Sequence, residues 1–461
     1  MQNSTYATFH DVNCICTEND GIYELIALKK EDNKKLKCHF KDKNFFFHYT
    51  SFTNKNKSAF VEYIRSSAGL GIQLKVKYAI ENINNSPISY MQIIGESIDE
   101  FFDPTRYFYN LHKENKEEIG NVVYKNKKAD EWQINFEEKE IKISLVYGDI
   151  LKKGIASDLK LHPILQLSFP PTQDYAFLYR LYYVIVHFLQ IVLYRRAQTK
   201  CQIELYTTID NDKLSFVGNL TDYAEFYNIS LRGAREINYN NYKEYIERLM
   251  QFSANNYNFD FKHFPYAMPR FWGKDYSILD YISIFTAFEA ECNANETLYC
   301  NADDSAVQKI RKDILLKIET LEYSNNDEES FIYLAKERIT QLGTQYGQKR
   351  KITNAYNVLR NALKSSIGDI FYLHNLENEN ELSEKELSKF ADYLTKTRGT
   401  IAHGGLIENF TDEQAQIIMF LEILTYCQIL KRANIDDNDI ELIIGAIFGC
   451  NQILFNKCYN S

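Results

Sequence analysis

The stretch SEKELSKFADYLTKTRGTIAHGG, residues 383–405, contains both a start signal and a stop signal for one helix. Ser383 and Glu386 have the spacing of a capping box, in which each side chain accepts a hydrogen bond from a backbone amide at the helix start. The pair Gly404-Gly405 permits the positive φ angle with which many helices end. The pattern predicts a helix over residues 384–403.

One face of this predicted helix is apolar but also carries an arginine, Arg398. At about 100° per residue, Arg398 lies only about 20° from Leu387. Desolvating a guanidinium is costly unless a carboxylate or an anion meets it. His403 lies about 140° further round an ideal helix. Either the helix distorts at Gly399, or a site is completed where two such helices meet. The apolar positions of this face are Leu387, Phe390, Ala391, Leu394 and Ile401.

Proline usage divides the chain around this helix. The 461 residues include only 18 Gly and 7 Pro, and no proline follows Tyr276. Long helices are therefore expected in the C-terminal part. A disordered chain is excluded, and collagenous and turn-dense all-β chains are disfavoured. Hydrophobic periodicity predicts helices over residues 278–291, 306–321, 330–340, 352–365, 384–403, 412–431 and 437–455.

The first half of the chain has a different pattern, with short runs of β-branched and aromatic residues between polar turns. Helical pieces are predicted at residues 58–65 and 175–196. The fold class is α+β, with a strand-rich domain over 1–220, a helical connector over 221–273 and an all-helical bundle over 274–461. The predicted strands cover residues 22–28, 44–49, 71–78, 140–147, 164–169 and 201–208.

Charge and cysteine usage limit the function classes. The net charge of -9 argues against a protein that coats nucleic acid by bulk charge alone. Nine cysteines without framework spacing indicate reduced thiols, and residues 1–14 contain no secretion signal. Polar residues interrupt the apolar stretch 175–194, so we predict a cytoplasmic protein that makes no membrane contact. No metal-ligand spacing or nucleotide-binding motif is present, so no metal and no cofactor are predicted.

A local cluster of basic residues is the candidate contact surface for nucleic acid. Residues 336–364 contain seven Lys or Arg and one acid, Glu337. Tyr346 and Tyr356 lie within this segment, where they could stack on unpaired bases. The alternative is a solvated helix face with ordinary tyrosines. The basic residues are Lys336, Arg338, Lys349, Arg350, Lys351, Arg360 and Lys364.

The segment from Arg398 to Gly404, RGTIAHG, resembles the Arg-x4-His signature of HEPN domains, helical bundles that are often metal-independent ribonucleases. The resemblance covers about residues 276–457. The sequence FTAFE at 285–289 and the strand-rich first half look like the ApeA-type anti-phage defence proteins, with a likeness of layout only in the first half. Gly399 departs from the pattern, because many active members carry Asn, Asp or His there.

The resemblance implies an endoribonuclease that acts by abortive infection and cuts cellular RNA, with tRNA as a possible substrate. His403 would be the general acid or base and Arg398 would steady the phosphate, leaving a 2′,3′-cyclic phosphate. Glu289 matches an acidic position on the first helix and could orient either group, although a plain surface glutamate is the alternative. A catalytically inactive HEPN scaffold that binds RNA or a protein is the second hypothesis.

The resemblance also implies partners. HEPN nucleases usually form a composite cleft from two motifs, so we expect a homodimer. An unknown phage-derived trigger would act through the first domain as a sensor. The segment 417–430 is apolar nearly all round, which fits either a central helix of the bundle or a homodimer seam.

Overall fold

The chain forms an α+β structure of two compact units in a computed structural model. Residues Met1–Leu193, Ala197–Ser230 and Asn238–Asn258 belong to a strand-rich unit, and Tyr194–Arg196, Leu231–Ile237 and Phe259–Ser461 to a helical unit. The structure describes residues 3–9, 12–19, 21–35, 44–50, 56–67, 71–82, 86–103, 127–149, 161–194, 201–209, 213–223, 242–256, 276–294, 303–321, 325–405 and 409–448.

Twelve antiparallel strands form the strand-rich unit within the described residues. The order along the sheet is β1-β2-β3-β6-β12-β11-β7-β10-β9-β8, and β5 joins β4 to β6. The strands are β1 Asn3–Phe9, β2 Val12–Asn19, β3 Ile22–Ala27, β4 Asn44–Thr50, β5 Asn56–Ser67, β6 Gly71–Asn82, β7 Ile88–Ile94, β8 Lys127–Phe136, β9 Lys139–Asp149, β10 Leu161–Thr172, β11 Gln202–Ile209 and β12 Lys213–Asp222.

Strand β6 pairs with three other strands and is the branch point of the sheet. Its first half pairs with β3 and its second half with β12, while β5 pairs along its other edge. Strands β1 and β4 lie beside each other, so β1, β2, β3, β6, β5 and β4 curl towards a barrel. A compact apolar core that includes Cys14, Cys16, Tyr23 and Leu74 fills this part.

Helices cover the rest of the sheet: α1 Glu96–Phe101, α2 Tyr175–Leu193 and α3 Ile246–Asn255. Helix α2 is long and apolar enough to cross a membrane, but 72% of its most apolar window is buried, as in the core helix of a soluble protein. Helix α3 was expected in a separate connector. Instead it packs on β8, where Gln251 Oε1 accepts a 2.8 Å hydrogen bond from the Asn135 amide.

The predicted helix at residues 58–65 is wrong, because this segment lies in β5. Phe60, Val61, Tyr63 and Ile64 are aromatic or β-branched, and pairing with strands on both sides overrides the short helical pattern. Strands β1, β2, β7, β8 and β12 were not predicted. In β8 the burial alternates at Trp132, Ile134 and Phe136, a period-2 signal that the sequence does contain.

The helical unit consists of packed helices within the described residues. They are α4 Ile278–Ala294, α5 Asp303–Glu319, α6 Asn326–Leu363, the single turn α7 Ile367–Ile370, α8 Glu384–Ala402, α9 Asp412–Arg432 and α10 Asp437–Phe448. Every residue from Gln416 to Leu430 in α9 except the half-buried Met419 is buried. Helix α9 is therefore a central helix, and it has no open face for the homodimer seam considered for this segment.

Helix α6 is one helix of 38 residues, where the sequence predicts two. Gly343 and Gly347 lie between the two predicted segments. A glycine inside a helix costs about 1 kcal/mol relative to alanine, which does not break a long helix with packed neighbours. The residues 449–455 of the last predicted helix, residues 195 and 196, and most of the connector lie outside the described part.

Candidate functional site

Helix α8 begins and ends as predicted. Ser383 and Glu386 form the capping box, with a 2.8 Å hydrogen bond from the Ser383 amide to Glu386 Oε2. At the other end His403 is the C-terminal cap, and Gly404 has φ of 75°. The local signals therefore determine both limits of the helix that carries Arg398 and His403.

The two glycines after His403 complete a Schellman motif. The Gly404 amide donates to the Ile401 carbonyl at 3.0 Å, and the Gly405 amide donates to the Thr400 carbonyl at 2.8 Å. A Cβ atom on Gly405 would lie 2.5 Å from Thr400 Cγ2. This close approach requires glycine at position 405, so the end of the helix is fixed tightly next to His403.

The helix continues without interruption through Gly399, so the distortion considered there does not occur. The His403 amide donates to the Gly399 carbonyl at 3.1 Å, as in a regular helix. Arg398 and His403 therefore keep their separation of about 140° around the axis. One copy of this helix does not direct both side chains to the same point.

Arg398 meets the carboxylate expected of it. Its Nη2 donates to Glu289 Oε2 at 3.0 Å, and the guanidinium carbon lies 5.5 Å from the centre of the Phe285 ring. Arg398 is nevertheless 41% exposed. Only one of the five N–H donors of a guanidinium bonds to a residue in the described ranges, so the others face solvent or a ligand.

Glu289 connects three helices. Its Oε2 accepts from Arg398 of α8, and its Oε1 accepts a 2.7 Å hydrogen bond from Gln348 Nε2 of α6. The reading of Glu289 as a plain surface residue is therefore wrong, because it lies between neighbours that hold its carboxylate. Gln348 was not predicted, because a glutamine in the middle of a helix carries no signal of a long-range partner.

A buried tyrosine ties the same helices together. The Tyr281 hydroxyl of α4 donates to the Leu394 carbonyl of α8, one turn before Arg398. Burial raises the pKa of Tyr281, so it stays a neutral donor at physiological pH. This contact sets the position of α8 along its axis relative to α4, and it thereby places Arg398 beside Glu289.

His403 is exposed at the end of α8. Within the part of the chain that the structure describes, its side chain makes no hydrogen bond or ion pair. An exposed imidazole at a rigid helix end is accessible to a substrate or to a second protein chain. The two motif residues therefore differ, because Arg398 is held by Glu289 whereas the His403 side chain is exposed.

The basic segment is not an open cationic surface. Lys349 pairs with Asp392 at 2.7 Å, and Lys351 donates to Asn293 at 2.6 Å. Arg360 pairs with Glu381, and Lys336 with Glu319. The count along the sequence missed these partners because they come from other helices or from distant residues of the chain.

Among the described side chains of that segment, no tyrosine is exposed for stacking on RNA bases. Tyr356 is buried, and its hydroxyl accepts a 2.7 Å hydrogen bond from the Leu382 amide, so it is a core residue. The side chains of Tyr346 and Arg338 lie outside the described part, and Arg350 is half-buried among neighbours. Of the predicted RNA contacts, Lys349, Lys351 and Arg360 already bond to side chains of the protein, so their charged groups are only partly free to bind phosphate.

Comparisons with known proteins identify no relative: no family model, no curated protein and no solved structure matches this chain. Among the described residues no group of three His, Cys, Asp or Glu side chains is arranged to hold a metal ion. The described cysteines, Cys14, Cys16, Cys201, Cys292 and Cys427, are buried free thiols.

Proposed function

We propose that this protein is a metal-independent endoribonuclease of the HEPN type. The observation that carries the proposal is the geometry of Arg398, which Glu289 holds in place while most of its donors stay open, five residues before the exposed His403. The resemblance of RGTIAHG to the HEPN signature supports the same assignment.

The two residue types suit phosphodiester cleavage by a ribose 2′-hydroxyl. A histidine accepts and returns a proton near neutral pH, and a planar guanidinium matches two phosphate oxygens. The 2′-oxygen forms the new bond to phosphorus as its proton passes to the base, and the 5′-oxygen leaves with a proton. The products are a 2′,3′-cyclic phosphate and a 5′-hydroxyl, and DNA is not a substrate.

A composite cleft accounts for the angle between the two side chains. On one continuous α8 helix they point about 140° apart, so we propose that Arg398 of one copy acts with His403 of a second copy. This arrangement makes the homodimer part of the enzyme.

The biological setting proposed here is anti-phage defence by abortive infection in the cytoplasm. The strand-rich unit is the proposed sensor of a phage-derived trigger, and cellular RNA, with tRNA as the leading candidate, is the proposed substrate. These assignments are supported by the resemblance to ApeA-type proteins in layout. They are tested separately from the cleavage chemistry.

Cleavage of total tRNA in the presence of EDTA tests the proposal, with matched DNA as the control. Arg398→Ala and His403→Ala should each lower the rate by about 10³-fold, the usual scale for removing a charge-stabilising donor or a general base. Cleavage that EDTA abolishes, or that survives in both variants, would contradict the proposal.

A catalytically inactive scaffold is the second candidate function, and Gly399 is the observation that favours it. This position lacks the polar side chain of many active members, and a Cβ atom there would meet nothing within 4 Å. RNA or protein binding without cleavage in the native chain would support the scaffold. Appearance of cleavage in Gly399→Asn would show that the missing side chain is the cause.

A further inference from the structure

The hairpin formed by α5 and the first half of α6 has no buried core among the side chains that the structure describes. None of the described side chains at residues 309–321 and 327–337 is buried. The two helices contact each other, and residues 320–325 join them. Two isolated helices with so little buried surface gain little stability, so this hairpin is expected to have a further packing partner.

The contact between the two helices can be located from the half-buried positions. In α5 these are Arg311, Leu315 and Ile318, and in α6 they include Ile332 and Ile339. Each set recurs at intervals of three, four or seven residues and therefore follows one face of its helix. The strongly exposed apolar residues lie elsewhere on both helices.

Five large apolar residues share one side of the hairpin. Around the axis of α5, at about 100° per residue, the α5 residues of this set lie about 90° from the side that contacts α6. Around the axis of α6, the α6 residues of this set lie about 90° to 150° from the side that contacts α5, in the same rotational sense. Because consecutive helices of a hairpin run antiparallel, this sense leads to the same side of both. We name this surface the hairpin face: Ile310, Ile314, Leu321, Phe331 and Leu334.

The area of the hairpin face fits a homodimer. Its five residues are between 41 and 73% exposed, which at about 200 Å² per large apolar residue gives about 550 Å². A dimer interface of standard size buries about 800 Å² per copy, of which about 65% is apolar. That share is about 520 Å², so the hairpin face supplies the apolar part of such an interface.

One charge pair at the α5 edge of this side is self-complementary, and the exposed Asp327 of α6 also lies on this side. Asp313 and Lys317 are exposed and lie four residues apart at the edge of the hairpin face. In a two-fold interface the same patch meets itself, so an antiparallel contact brings the lysine of each copy opposite the aspartate of the other. Like charges along this edge would have disfavoured such a contact.

We propose that the hairpin face is an interface with a second copy of this chain. The hairpin of one copy packs on the hairpin of the other through two-fold symmetry, and the four helices bury the apolar residues between them. The proposal rests on the exposed surface and not on the ribonuclease assignment. A dimer without RNA cleavage would leave it intact and contradict the ribonuclease assignment alone, whereas a monomeric ribonuclease would contradict it together with the composite cleft and leave the cleavage chemistry intact.

Sedimentation equilibrium of the full chain tests this interface with a matched pair of double variants. The native protein should sediment at twice the chain mass of 54.1 kDa. Ile314→Asp with Phe331→Asp should weaken association by on the order of 100-fold or more, since charges would enter the centre of the interface. Leu316→Asp with Tyr333→Asp, two exposed residues on the other side of the hairpin, should leave the dimer unchanged.

A cross-link keeps the test decisive if a double variant loses helix content in circular dichroism. Under mild oxidation Ile314→Cys should form an intermolecular disulfide, and Leu316→Cys should not, because only the hairpin face brings two copies within disulfide distance. A native protein at single-chain mass at micromolar concentration would overturn the proposal. So would a dimer that survives the Ile314 and Phe331 changes, or equal cross-linking of both cysteine variants.

Discussion

Two arginine–glutamate pairs join α4 to neighbouring helices, and they are built differently. Glu291 receives two hydrogen bonds from Arg432 of α9, at 2.7 and 3.0 Å, and both residues are largely buried. Glu289, two residues earlier, receives one from Arg398 of α8, and that pair is partly exposed. The first pair uses the guanidinium fork for packing, whereas the second leaves most of the fork open.

This difference separates a structural pair from a candidate catalytic one. Burial raises the pKa of Glu291, and the charge and hydrogen bonds of Arg432 oppose that rise. Such a pair is costly to break because one charge would remain buried without its partner. The Arg398 pair keeps its arginine in position and still allows it to bind an anion, as phosphate recognition requires.

The largest stability effect is expected at the buried pair. Arg432→Ala should lower the free energy of unfolding by about 3 to 5 kcal/mol, whereas Arg398→Ala should change it by less than about 1 kcal/mol. Urea unfolding followed by far-UV circular dichroism measures both. Equal losses in the two variants would remove the contrast between the pairs.

The pH dependence of the Arg432→Ala protein sharpens the same contrast. Without Arg432, burial alone acts on Glu291 and its pKa rises further. A raised pKa in the folded state adds stability at low pH and loses it as pH rises through that value. The deficit against the native protein should therefore be smallest near about pH 5 and largest near about pH 8. In Arg432→Ala with Glu291→Gln the deficit should not vary with pH in this way.

Glu289 is a positioning residue in this account, because it acts through Arg398. Glu289→Ala should lower the cleavage rate by about 10- to 100-fold, the scale of a misplaced catalytic group, and Glu289→Gln should restore part of it. Gln348→Ala, which removes the second hydrogen bond to this carboxylate, should cost less. The loss should appear in kcat more than in KM. Full activity in Glu289→Ala would remove Glu289 from the site.

The smallest effect expected is at the glycines around His403. Gly405→Ala should destabilise the protein by about 1 to 2 kcal/mol, since the new Cβ would collide with Thr400. Gly399→Ala should instead stabilise it by about 0.5 to 1 kcal/mol, because position 399 is helical and open. Differential thermal unfolding of the two variants checks the pair, and changes of the same sign would contradict the helix geometry described here.

Structural features that depend on residues close together in the sequence were predictable. The limits of α8 and the start of α9 follow from capping boxes, which involve residues three positions apart. A carboxylate or anion partner for Arg398 was predictable because this arginine lies on the apolar face of its helix. The strand β5 was missed because its two pairing partners, β4 and β6, decide its conformation.

Features that depend on distant residues were not predictable. Gln348 reaches Glu289 across 59 positions of sequence, and Asp392 neutralises Lys349 across 43. A count of charges along one helix contains neither contact. The hairpin face was also missed, because its apolar residues look like core positions in the sequence, whereas the structure leaves them exposed.

The central claim is that RNA is cut by its own 2′-hydroxyl at a site that Arg398 and His403 form. After the main cut in an RNA is mapped, the same RNA is synthesised with a single 2′-deoxy nucleotide on the 5′ side of that bond. The account predicts that cleavage at this bond disappears while the native RNA gives a 2′,3′-cyclic phosphate in EDTA. Unchanged cleavage of the 2′-deoxy RNA would contradict it.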